Sequence, residues 1–350
     1  MTKYRFDQIA RECRETYSGN YKDIPIVGLE HIIPNEMLLS DCDKNVETTF
    51  TKSFKKGQIL FGRRRAYQRK ACVATFDGIC SGDITVIEAI EGTVSPKLLP
   101  FIIQSDDFFE HAIKGSNGAL SPRVKWEHMS NFEIELPSIS EQKLLADKLW
   151  AAYELKRSYQ DMIKATDEMV KSQFIEMFRQ STLGNGIIGD YLLLKAGKAM
   201  PADRISSSKA DGMFPCFGGN GIRGYVDSYN YDGDYAIIGR QGALCGNVCL
   251  AQGKFYATEH AVVVTPKVIV DTTWLFYALN QMNLNQYARG VAQPGLAVNE
   301  LEKLPFSVPD SNKQIEFSNI AKQADKSKFE LKKAIEAIDK VIKSLINENL

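Results

Sequence analysis

The sequence lacks an excess of either charge and a long apolar run, and we expect no leader segment. Its 350 residues include 43 Lys+Arg and 43 Asp+Glu, so the formal net charge is zero, which argues against a histone-like or polybasic protein. No apolar run approaches the ~18 residues of a membrane-spanning helix. The opening MTKYRFDQIARE carries charges throughout, unlike a secretory signal peptide. We therefore expect a cytoplasmic protein with no membrane partner.

Cysteine is too scarce for a secreted disulfide framework. The cysteines are odd in number, and all seven are scattered over the chain, at Cys13, Cys42, Cys72, Cys80, Cys216, Cys245 and Cys249. This pattern favours reduced and mostly buried thiols. With 44% hydrophobic and 25% charged residues, the composition is that of an ordinary globular protein, and the length suits about two domains.

Motifs for covalent chemistry are missing as well. The chain has no G-x-x-x-x-G-K-[ST] loop for a nucleoside triphosphate and no Asn-Pro-Pro-aromatic motif of the kind found in adenine methyltransferases. The four histidines (His31, His111, His128 and His260) have no partner at ligand spacing, and Cys245-x3-Cys249 lacks a second pair. The sequence therefore predicts neither a catalytic nor a metal site.

Two short patterns imitate functional motifs. GGNGIRG at 218–224 matches G-x-G-x-x-G, but a strand-like Tyr225-Val226 follows it instead of a helix, which favours a tight glycine-rich turn. Pro309-Asp310 with Glu330-x-Lys332 resembles a metal-dependent nuclease pattern. Glu330 and Lys332, however, flank an apolar helix seam, where solvent-exposed charges are expected.

An internal repeat is the most informative feature of the sequence. Residues 118–172 align without a gap with residues 290–344, at an offset of 172, and such repeats indicate duplicated architecture. The aligned pairs include Gly118 with Gly290, Pro122 with Pro294, Pro137 with Pro309, Gln142 with Gln314 and Asp167 with Asp339. Upstream the halves diverge, yet each contains an apolar strand pattern that ends in Gly-Arg, GQILFGR and GDYAIIGR.

Each repeat contains one long predicted helix. The stretch 140–179 has no Pro or Gly and places apolar residues at three- and four-residue intervals. In the second copy, a heptad seam is formed by Leu331, Ile335, Ile338, Ile342 and Leu345. Because neither helix can bury its stripe alone, we expect an antiparallel two-helix coiled coil with a pseudo-twofold axis and the two variable domains at its opposite ends. Ser138, Ser140 or Ser311 would cap the first turns.

The variable regions have the pattern of mixed α/β domains. Strands are predicted at 59–61, 84–87, 235–238 and 261–265, and helices at 98–113 and 274–288. The predicted fold class is therefore α/β (α+β), with two globular domains separated by the two long helices.

A basic window stands out against the neutral total. Residues 48–76 contain no acid, and the core of this window, FGRRRAYQRK, mixes Arg and Lys with Tyr and Gln, a combination that suits phosphates and base edges. A solvated basic loop is the alternative. The candidate DNA-binding residues are Arg63, Arg64, Arg65, Tyr67, Gln68, Arg69 and Lys70 in the first half, with Arg204, Asn220, Arg223, Arg240, Gln241, Lys254, Arg289 and Gln293 as weaker candidates in the second.

These motifs together resemble the specificity subunit of type I restriction-modification systems. The resemblance covers essentially the whole chain and rests on the P-x4-Q motif that heads each helix (137–142 and 309–314), on SPRVKWEHMSNFEIELPSISEQ, and on FGGNGIRGYV followed by IIGRQGALCGNV. The second helix departs from the pattern with Lys313 where the first has Glu141, so one docking surface is expected to differ.

The resemblance implies different roles for the globular domains, the long helices and the partner subunits. It implies two target recognition domains (1–138 and 181–309) that each read half of a split DNA sequence. A central and a C-terminal spacer helix (139–180 and 310–350) would dock methylation subunits, two of them, and restriction subunits. The chain itself would carry no cofactor, while its partners would use S-adenosylmethionine, ATP and Mg²⁺ for adenine methylation and DNA cleavage.

Three alternatives stay open at this point. The chain could serve a stand-alone adenine methyltransferase without a restriction partner. It could be a self-contained nuclease or methyltransferase with an unrecognised catalytic motif. It could also be a coiled-coil scaffold without a DNA role, against which the basic window argues.

Overall fold

A computed structural model of the chain describes residues 1–118, 120–179, 186–290 and 294–350. These residues form two compact units: unit 1 comprises Met1–Gln160 and Lys332–Leu350, and unit 2 comprises Asp161–Leu331. The domain bounds derived from the sequence stay a prediction. In the described residues, no helix is long and apolar enough to cross a membrane.

Unit 1 combines short strands with helices. Its strands are β1 (Thr2–Arg5), β2 (Ala10–Cys13), β3 (Ile26–Val27), β4 (Lys52–Phe54), β5 (Ile59–Gly62), β6 (Ala71–Val73), β7 (Gly78–Cys80), β8 (Ile84–Ala89) and β9 (Glu133–Leu136). Its helices are α1 (Phe6–Ile9), α2 (Leu99–Gln104), α3 (Asp106–Lys114), α4 (Trp126–Met129) and the first part of α5 (Ile139–Phe178), with short 3-10 turns at Leu29–His31 and Ala66–Gln68.

The central sheet of unit 1 is buried on both faces. It has the order β2-β8-β5-β6, and a smaller sheet has the order β3-β7-β4. Because successive side chains of a strand point to opposite faces, Ile59 and Phe61 pack with helices α2 and α3, whereas Leu60 packs with Val27 and Phe54 of the smaller sheet. Strand β5 therefore lies in a middle layer, between the helices and the smaller sheet, which explains its consecutive apolar residues ILF.

Unit 2 contains the remaining elements. Its strands are β10 (Gly186–Ile187), β11 (Leu192–Ala196), β12 (Phe214–Gly218), β13 (Gly221–Val226), β14 (Tyr231–Asp232), β15 (Tyr235–Gly239), β16 (Val248–Ala251), β17 (Lys254–Ala257), β18 (Ala261–Pro266) and β19 (Pro305–Phe306). Its helices are the last part of α5, α6 (Ile188–Tyr191), α7 (Thr272–Gln281), α8 (Val298–Leu301) and the first part of α9 (Ser311–Asn349), with 3-10 turns at Ala202–Arg204 and Leu284–Tyr287. The last part of α9 belongs to unit 1.

Unit 2 repeats the topology of unit 1. Its central sheet β11-β18-β15-β16 has the same order of equivalent strands, and β10 pairs with β19 as β1 pairs with β9. In its second sheet, β13-β12-β17-β14, the parallel pair β12-β17 corresponds to β3-β7, and β13 is an addition. Both faces are again buried, with Ile238 towards α7 and Ile237 towards Phe255. The predicted mixed α/β fold and its duplication are confirmed.

Within each unit, a stretch of α5 packs against a stretch of α9. In unit 2, Asp167 pairs with Lys328, and further along α5 the ring of Phe174 lies 5.1 Å from that of Phe317, so the two helices run antiparallel. In unit 1, the seam residues Ile342 and Leu345 are partly buried against the core. The predicted helix pairing is confirmed inside both units.

Two shorter helices differ from the prediction. The helix expected at 98–113 is broken at Ser105, whose backbone is extended and whose Oγ accepts the N–H of Phe108 at 3.2 Å, so Ser105 caps a separate α3. The helix expected at 274–288 ends at Gln281. Asn283 adopts a left-handed conformation with φ 47°, and a 3-10 turn follows. The cap at Ser105 and the left-handed residue at Asn283 override the apolar periodicity around them.

The long helices begin with different caps. At α5, Ser138 and Glu141 form a reciprocal capping box: the Glu141 carboxylate accepts the N–H of Ser138 at 2.9 Å, and Ser138 Oγ accepts the N–H of Glu141 at 3.4 Å. At α9, Asp310 Oδ1 accepts the N–H of Asn312 at 2.9 Å, so Asp310 and not Ser311 is the cap. Lys313 stands at the position of Glu141, and because a lysine side chain has no acceptor atom, it cannot form the second bond of such a capping box.

The glutamine of each P-x4-Q motif is buried and forms two hydrogen bonds with backbone groups. Gln142 donates to the carbonyl of Pro137 at 3.0 Å and accepts the N–H of Ser95 at 2.9 Å. Gln314 makes the same two bonds, to Pro309 at 2.8 Å and from Asp271 at 2.9 Å. The motif therefore ties the start of each long helix to the segment that leads into α2 or α7.

All seven cysteines are free thiols. Cys72, Cys80, Cys216 and Cys245 are buried and the others partly buried, as predicted. Burial raises the pKa of Cys72 and of Cys80 to about 12, which keeps both protonated at neutral pH.

Candidate nucleic-acid interface

The basic window of unit 1 begins where strand β5 ends. Beyond Gly62, the backbone N–H of Arg63 donates to Asp83 O at 2.9 Å, and that of Arg65 donates to Pro122 O at 2.8 Å. Residues 117 and 123 exchange two backbone hydrogen bonds of 3.0 and 2.9 Å. Residues 63–70 therefore lie beside residues 117–123, and we call these two segments, without residue 119, the unit 1 loop pair.

Unit 2 builds the same frame at the end of β15. Arg240 N donates to His260 O at 2.8 Å, Gly242 N donates to Pro294 O at 3.0 Å, and residues 289 and 295 exchange two hydrogen bonds of 2.9 Å. Residues 240–247 and 289–295, without 291–293, form the unit 2 loop pair. The two Gly-Arg strand ends noted in the sequence are thus equivalent in structure.

Another part of the backbone approaches the glycine before each of these arginines, and at Gly239 the approach is too close for a side chain. A Cβ on Gly239 would lie 1.8 Å from the carbonyl oxygen of Gly219, and a Cβ on Gly62 would lie 3.1 Å from that of Lys70. A side chain at Gly239 would push the β12-β13 turn away from the unit 2 loop pair. Close packing of the backbone thus favours glycine at this position in both units.

The carboxylate of Asp83 contacts two arginines of the unit 1 loop pair. Arg123 donates to its carboxylate through Nε at 2.7 Å and Nη2 at 3.3 Å, and Arg64 Nη1 lies 3.5 Å from Asp83 Oδ2. Arg64 Nε also donates to Ser121 Oγ at 2.6 Å. The hydrogen bond from Arg123, with the positive charge of Arg64, holds the pKa of Asp83 below its usual value.

Arg69 and Lys70 are held by contacts inside unit 1. Arg69 pairs with Asp106 at 2.8 Å, donates to Gln104 O at 3.2 Å and lies 4.8 Å over the ring of Phe109. Lys70 Nζ donates to the carbonyl of Leu29 at 2.5 Å. These two candidates therefore support the loop.

Three other candidates face outwards. Arg65 and Tyr67 are exposed, and Gln68 is partly exposed. Arg65 has a left-handed backbone with φ 55°, which turns the chain sharply before the 3-10 turn Ala66–Gln68. This part of the loop is accessible to a phosphate backbone.

Arg63 lines a cleft of about 1030 Å³ beside the loop pair. Its Nε is buried and makes no hydrogen bond with any described residue. The charged residues that line the cleft with it are Glu12, Arg14, Lys52, Asp83, Lys125 and Glu127, and Trp126 lies among them. The cleft has a mixed charge, unlike the exposed tip at Arg65.

The second-half candidates fall into two groups. Strands β12 and β13 form a hairpin whose turn holds Gly219 and Asn220, and a Cβ on Gly219 would lie 2.7 Å from Gln241 O. Asn220 Oδ1 accepts from Asn247 Nδ2 at 2.7 Å, so Asn220 and Gln241 meet at the unit 2 loop pair, next to Arg240. The predicted tight turn is confirmed, and β13, which carries the exposed Arg223, follows it.

The remaining candidates are engaged elsewhere or lie apart. Lys254 Nζ lies 4.7 Å over the ring of Tyr229, Arg289 pairs with Glu300 at 3.2 Å, and Arg204 is exposed in a 3-10 turn. Gln293 lies outside the described residues. The structure thus brings together only part of the predicted set.

Sequence reasoning missed Asp83, Ser121 and Arg123. Arg123 lies within SPRVKWEHMSNFEIELPSISEQ, which carries the family resemblance, and Asp83 follows the acid-free window. Their contact spans 40 residues. No local pattern in the sequence could therefore have indicated this contact.

One group of three potential metal ligands occurs in the described residues. Glu30, His31 and Asp43 place ligand atoms within 4.8 Å of one another, and sequence spacing had given no hint of it. His31 Nδ1 accepts the N–H of Gly28 at 2.9 Å, so Nε2 carries the proton and faces Asp43 Oδ2 at 3.5 Å. Binding a metal at Nε2 would cost the Gly28 hydrogen bond. The group is therefore better described as a hydrogen-bonded cluster than as a metal site.

The family comparison identifies the chain's relatives. The family described as type I restriction modification DNA specificity domain matches residues 13–162 and 186–339. The chain belongs to this family. The two matches cover one loop pair each, and the resemblance inferred from the sequence is confirmed.

Individual relatives agree with this assignment. The type I restriction enzyme EcoprrI specificity subunit of Escherichia coli is 48% identical over 139 residues, which is 39% of this chain and 35% of that relative. The chain spans about a third of the length of the curated relatives it matches.

Solved structures share the fold. The S subunit of a type I restriction-modification system from M. genitalium is similar over 98% of this chain and 95% of its own, with a TM-score of 0.60 and 14% identity. A structure described as the basis of complex assembly and conformational transition of the type I R-M system is similar over 99% and 97%, with a TM-score of 0.58 and 16% identity. At such identities the likeness shows the fold of the whole chain.

Proposed function

We propose that this chain is the DNA-reading subunit of a type I restriction-modification enzyme. Unit 1 reads one half of a split, asymmetric DNA sequence with its loop pair, and unit 2 reads the other half with its own. The observation that carries this proposal is the common hydrogen-bond frame of the two loop pairs in a chain of the DNA specificity family. One frame with different side chains suits a protein that reads two different half-sites of double-stranded DNA.

The proposed roles of the basic residues follow their exposure. Arg65 and Tyr67, at the tip of the unit 1 loop pair, contact the DNA backbone, and Arg63 extends this surface into the cleft. In unit 2, Asn220, Arg240 and Gln241 are the central candidates, because the hairpin turn and the strand end bring them together. Amide and guanidinium groups read base edges well.

The helices serve partner subunits in this proposal. Methylation subunits, two of them, and restriction subunits dock on α5 and α9 in the cytoplasm. In unit 2, Met162 and Met169 are half exposed and lie seven residues apart on α5, so they share one helix face. This chain supplies no catalytic group and holds no cofactor, and the partners use S-adenosylmethionine, ATP and Mg²⁺.

Methylome sequencing tests the proposal. The chain is co-expressed with a methylation subunit of the same system, in a host without other adenine methylation. We expect methylated adenines in one split, asymmetric motif, and no such motif without this chain. A continuous motif, or methylation that does not depend on this chain, would contradict the proposal.

A second experiment addresses the enzymatic alternatives. The purified chain alone is incubated with DNA and labelled S-adenosylmethionine, and separately with DNA, Mg²⁺ and ATP. We expect neither methyl transfer nor cleavage, whereas a self-contained enzyme would give one of them. ATP-dependent cleavage by the complex with a restriction subunit separates the full enzyme from a stand-alone methyltransferase.

A further inference from the structure

Arg64, Asp83 and Arg123 form a charged cluster whose purpose the fold alone does not explain. We infer that Asp83 is a positioning residue that locks Arg64 and Arg123 into one rigid reader of guanine. This inference rests on the proposed DNA-reading function of unit 1 and assigns it specific residues. The three residues come from three separate segments of unit 1.

Both arginines are fixed at the backbone and at the side chain. Arg64 and Arg123 face each other in a β-bridge, and Arg123 is also bridged to Asn117. Asp83 holds Arg123 through two guanidinium nitrogens and touches Arg64 through one, while Ser121 holds Arg64 Nε. Two flexible side chains thereby lose most of their conformational freedom before any ligand binds, which is the condition for selective recognition.

The guanidinium groups stay accessible after these bonds are made. The side chains of Arg64 and Arg123 are 39% and 45% exposed, and that of Asp83 only 20%. Each guanidinium has five N–H donors, and the contacts with described residues use only some of them. The carboxylate is therefore more buried than the two arginine side chains that it contacts, and both arginines keep donors that these contacts do not use.

A base edge suits this cluster better than a phosphate. Phosphate anchoring needs positive charge above all, and the Asp83 carboxylate cancels one of the two charges. Guanine recognition needs a planar donor pair in a fixed orientation, facing O6 and N7 in the major groove. Arg65, exposed at the loop tip, is the natural phosphate contact.

Unit 2 carries different chemistry at the same places of the frame. The residues equivalent to Arg64, Arg123 and Asp83 are Gln241, Gly295 and His260, as the shared hydrogen bonds show. A glutamine pairs with adenine as an arginine pairs with guanine. The side chains thus change where the backbone does not, as expected of positions that set sequence preference.

The test uses the assembled methylation complex and the motif found with the unchanged chain. Arg64→Lys and Arg123→Lys keep the charge but lose the planar fork. We expect each to relax discrimination at a guanine position of one half-site by about 10- to 100-fold, with an unchanged dependence of DNA affinity on salt. The other half-site, read by unit 2, must stay unchanged and serves as the folding control.

Asp83→Asn gives a result that a purely structural role would not. Removing the acid adds one net positive charge, so binding to random duplex should become tighter, with a salt slope steeper by about one. At the same time, discrimination at the guanine position should fall. Ser121→Ala, a milder change, should relax the same position by a few-fold.

The outcomes separate the inference from the proposed function. If the unchanged complex methylates no split motif, the proposed function fails. If it reads a split motif but the lysine variants keep every base preference, or only weaken binding to all sequences alike, the inference is overturned. A loss of both half-sites in the lysine variants, together with unchanged preferences in Ser121→Ala, would overturn it as well.

Discussion

Lys156 of α5 donates to Asp339 of α9 at 2.7 Å in unit 1, and the same pair recurs in unit 2 with the helices exchanged. There Lys328 of α9 donates to Asp167 of α5 at 2.6 Å. Lys156 and Lys328 are 172 residues apart, as are Asp167 and Asp339. Burial alone would lower the pKa of Lys328, but hydrogen bonds to Asp167 and Asp325 outweigh it and raise the pKa. The sequence repeat is thus visible as a repeated ion pair.

We predict that Lys328→Met and Lys156→Met each destabilise their own unit by about 1–2 kcal/mol. Each lysine side chain is only 16% exposed, and its loss leaves a half-buried aspartate without its donor. Hydrogen exchange of the helix amides measures the effect unit by unit. Lys97→Met, which removes a largely exposed pair with Asp147, should change the stability by less than about 0.5 kcal/mol. An equal cost for all three variants would contradict this reasoning.

The two buried glutamines should have matching roles. We predict that Gln142→Ala costs about 2–3 kcal/mol, because the N–H of Ser95 and the carbonyl of Pro137 lose their partner. Gln314→Ala should act alike in unit 2. Faster exchange of the Ser95 amide is the direct readout. Gln286→Ala, at an exposed position, is the control and should have almost no effect.

Neighbouring arginines of the unit 1 loop pair should behave in opposite ways. Arg65→Ala should lower the salt slope of DNA binding by about one and leave thermal stability unchanged, because Arg65 is exposed. Arg69→Ala should instead lower stability by about 1–2 kcal/mol, because Arg69 contacts Asp106, Gln104 and Phe109. If Arg69→Ala changed only DNA binding, our view of Arg69 as a support would be wrong.

Acid should weaken unit 1 through Asp83. Its pKa is lowered in the folded state by the hydrogen bond from Arg123. The resulting stabilisation is complete above the ordinary aspartate pKa of about 4 and is lost as the pH falls through the lower folded value. We predict that wild type exceeds Asp83→Asn by about 1 kcal/mol at pH 7 and that the difference shrinks below about pH 4. Denaturation curves at several pH values would show this. A difference independent of pH would exclude the ionised carboxylate as its source.

The methionines of α5 provide a test of partner docking. We predict that Met162→Lys combined with Met169→Lys abolishes co-purification of the methylation subunit, because charges would enter an apolar contact. Ile269→Lys, at a 90% exposed site of the same unit, should leave co-purification intact. Retention of the subunit by the double variant would move the docking surface elsewhere.

The parts of the fold that could be predicted are those with local or repeated signals. The long helices follow from uninterrupted apolar spacing, and their pairing follows from the gapless repeat. The breaks at Ser105 and Asn283 were missed because a single cap or a left-handed residue outweighs the periodicity around it. Sheet order depends on distant pairings and could not be derived.

The candidate site was predictable only in outline. The acid-free window located the unit 1 loop pair, but a run of basic letters does not tell which side chains turn inwards. Arg69 and Lys70 do so, and their acceptors, Asp106 and the carbonyl of Leu29, lie in other elements. The contact between Asp83 and Arg123 depends on the folded chain and could be identified only from the structure.

The division of α9 between the units affects how the protein is made. Unit 2 is one continuous segment, whereas unit 1 is assembled from 1–160 and 332–350. Ile342, Leu345, Ile346 and Leu350 pack on the core of unit 1, yet they leave the ribosome only after all of unit 2 has been synthesised. During translation, unit 1 therefore keeps an exposed apolar surface until the end of α9 has been synthesised, whereas unit 2 can complete its folding first.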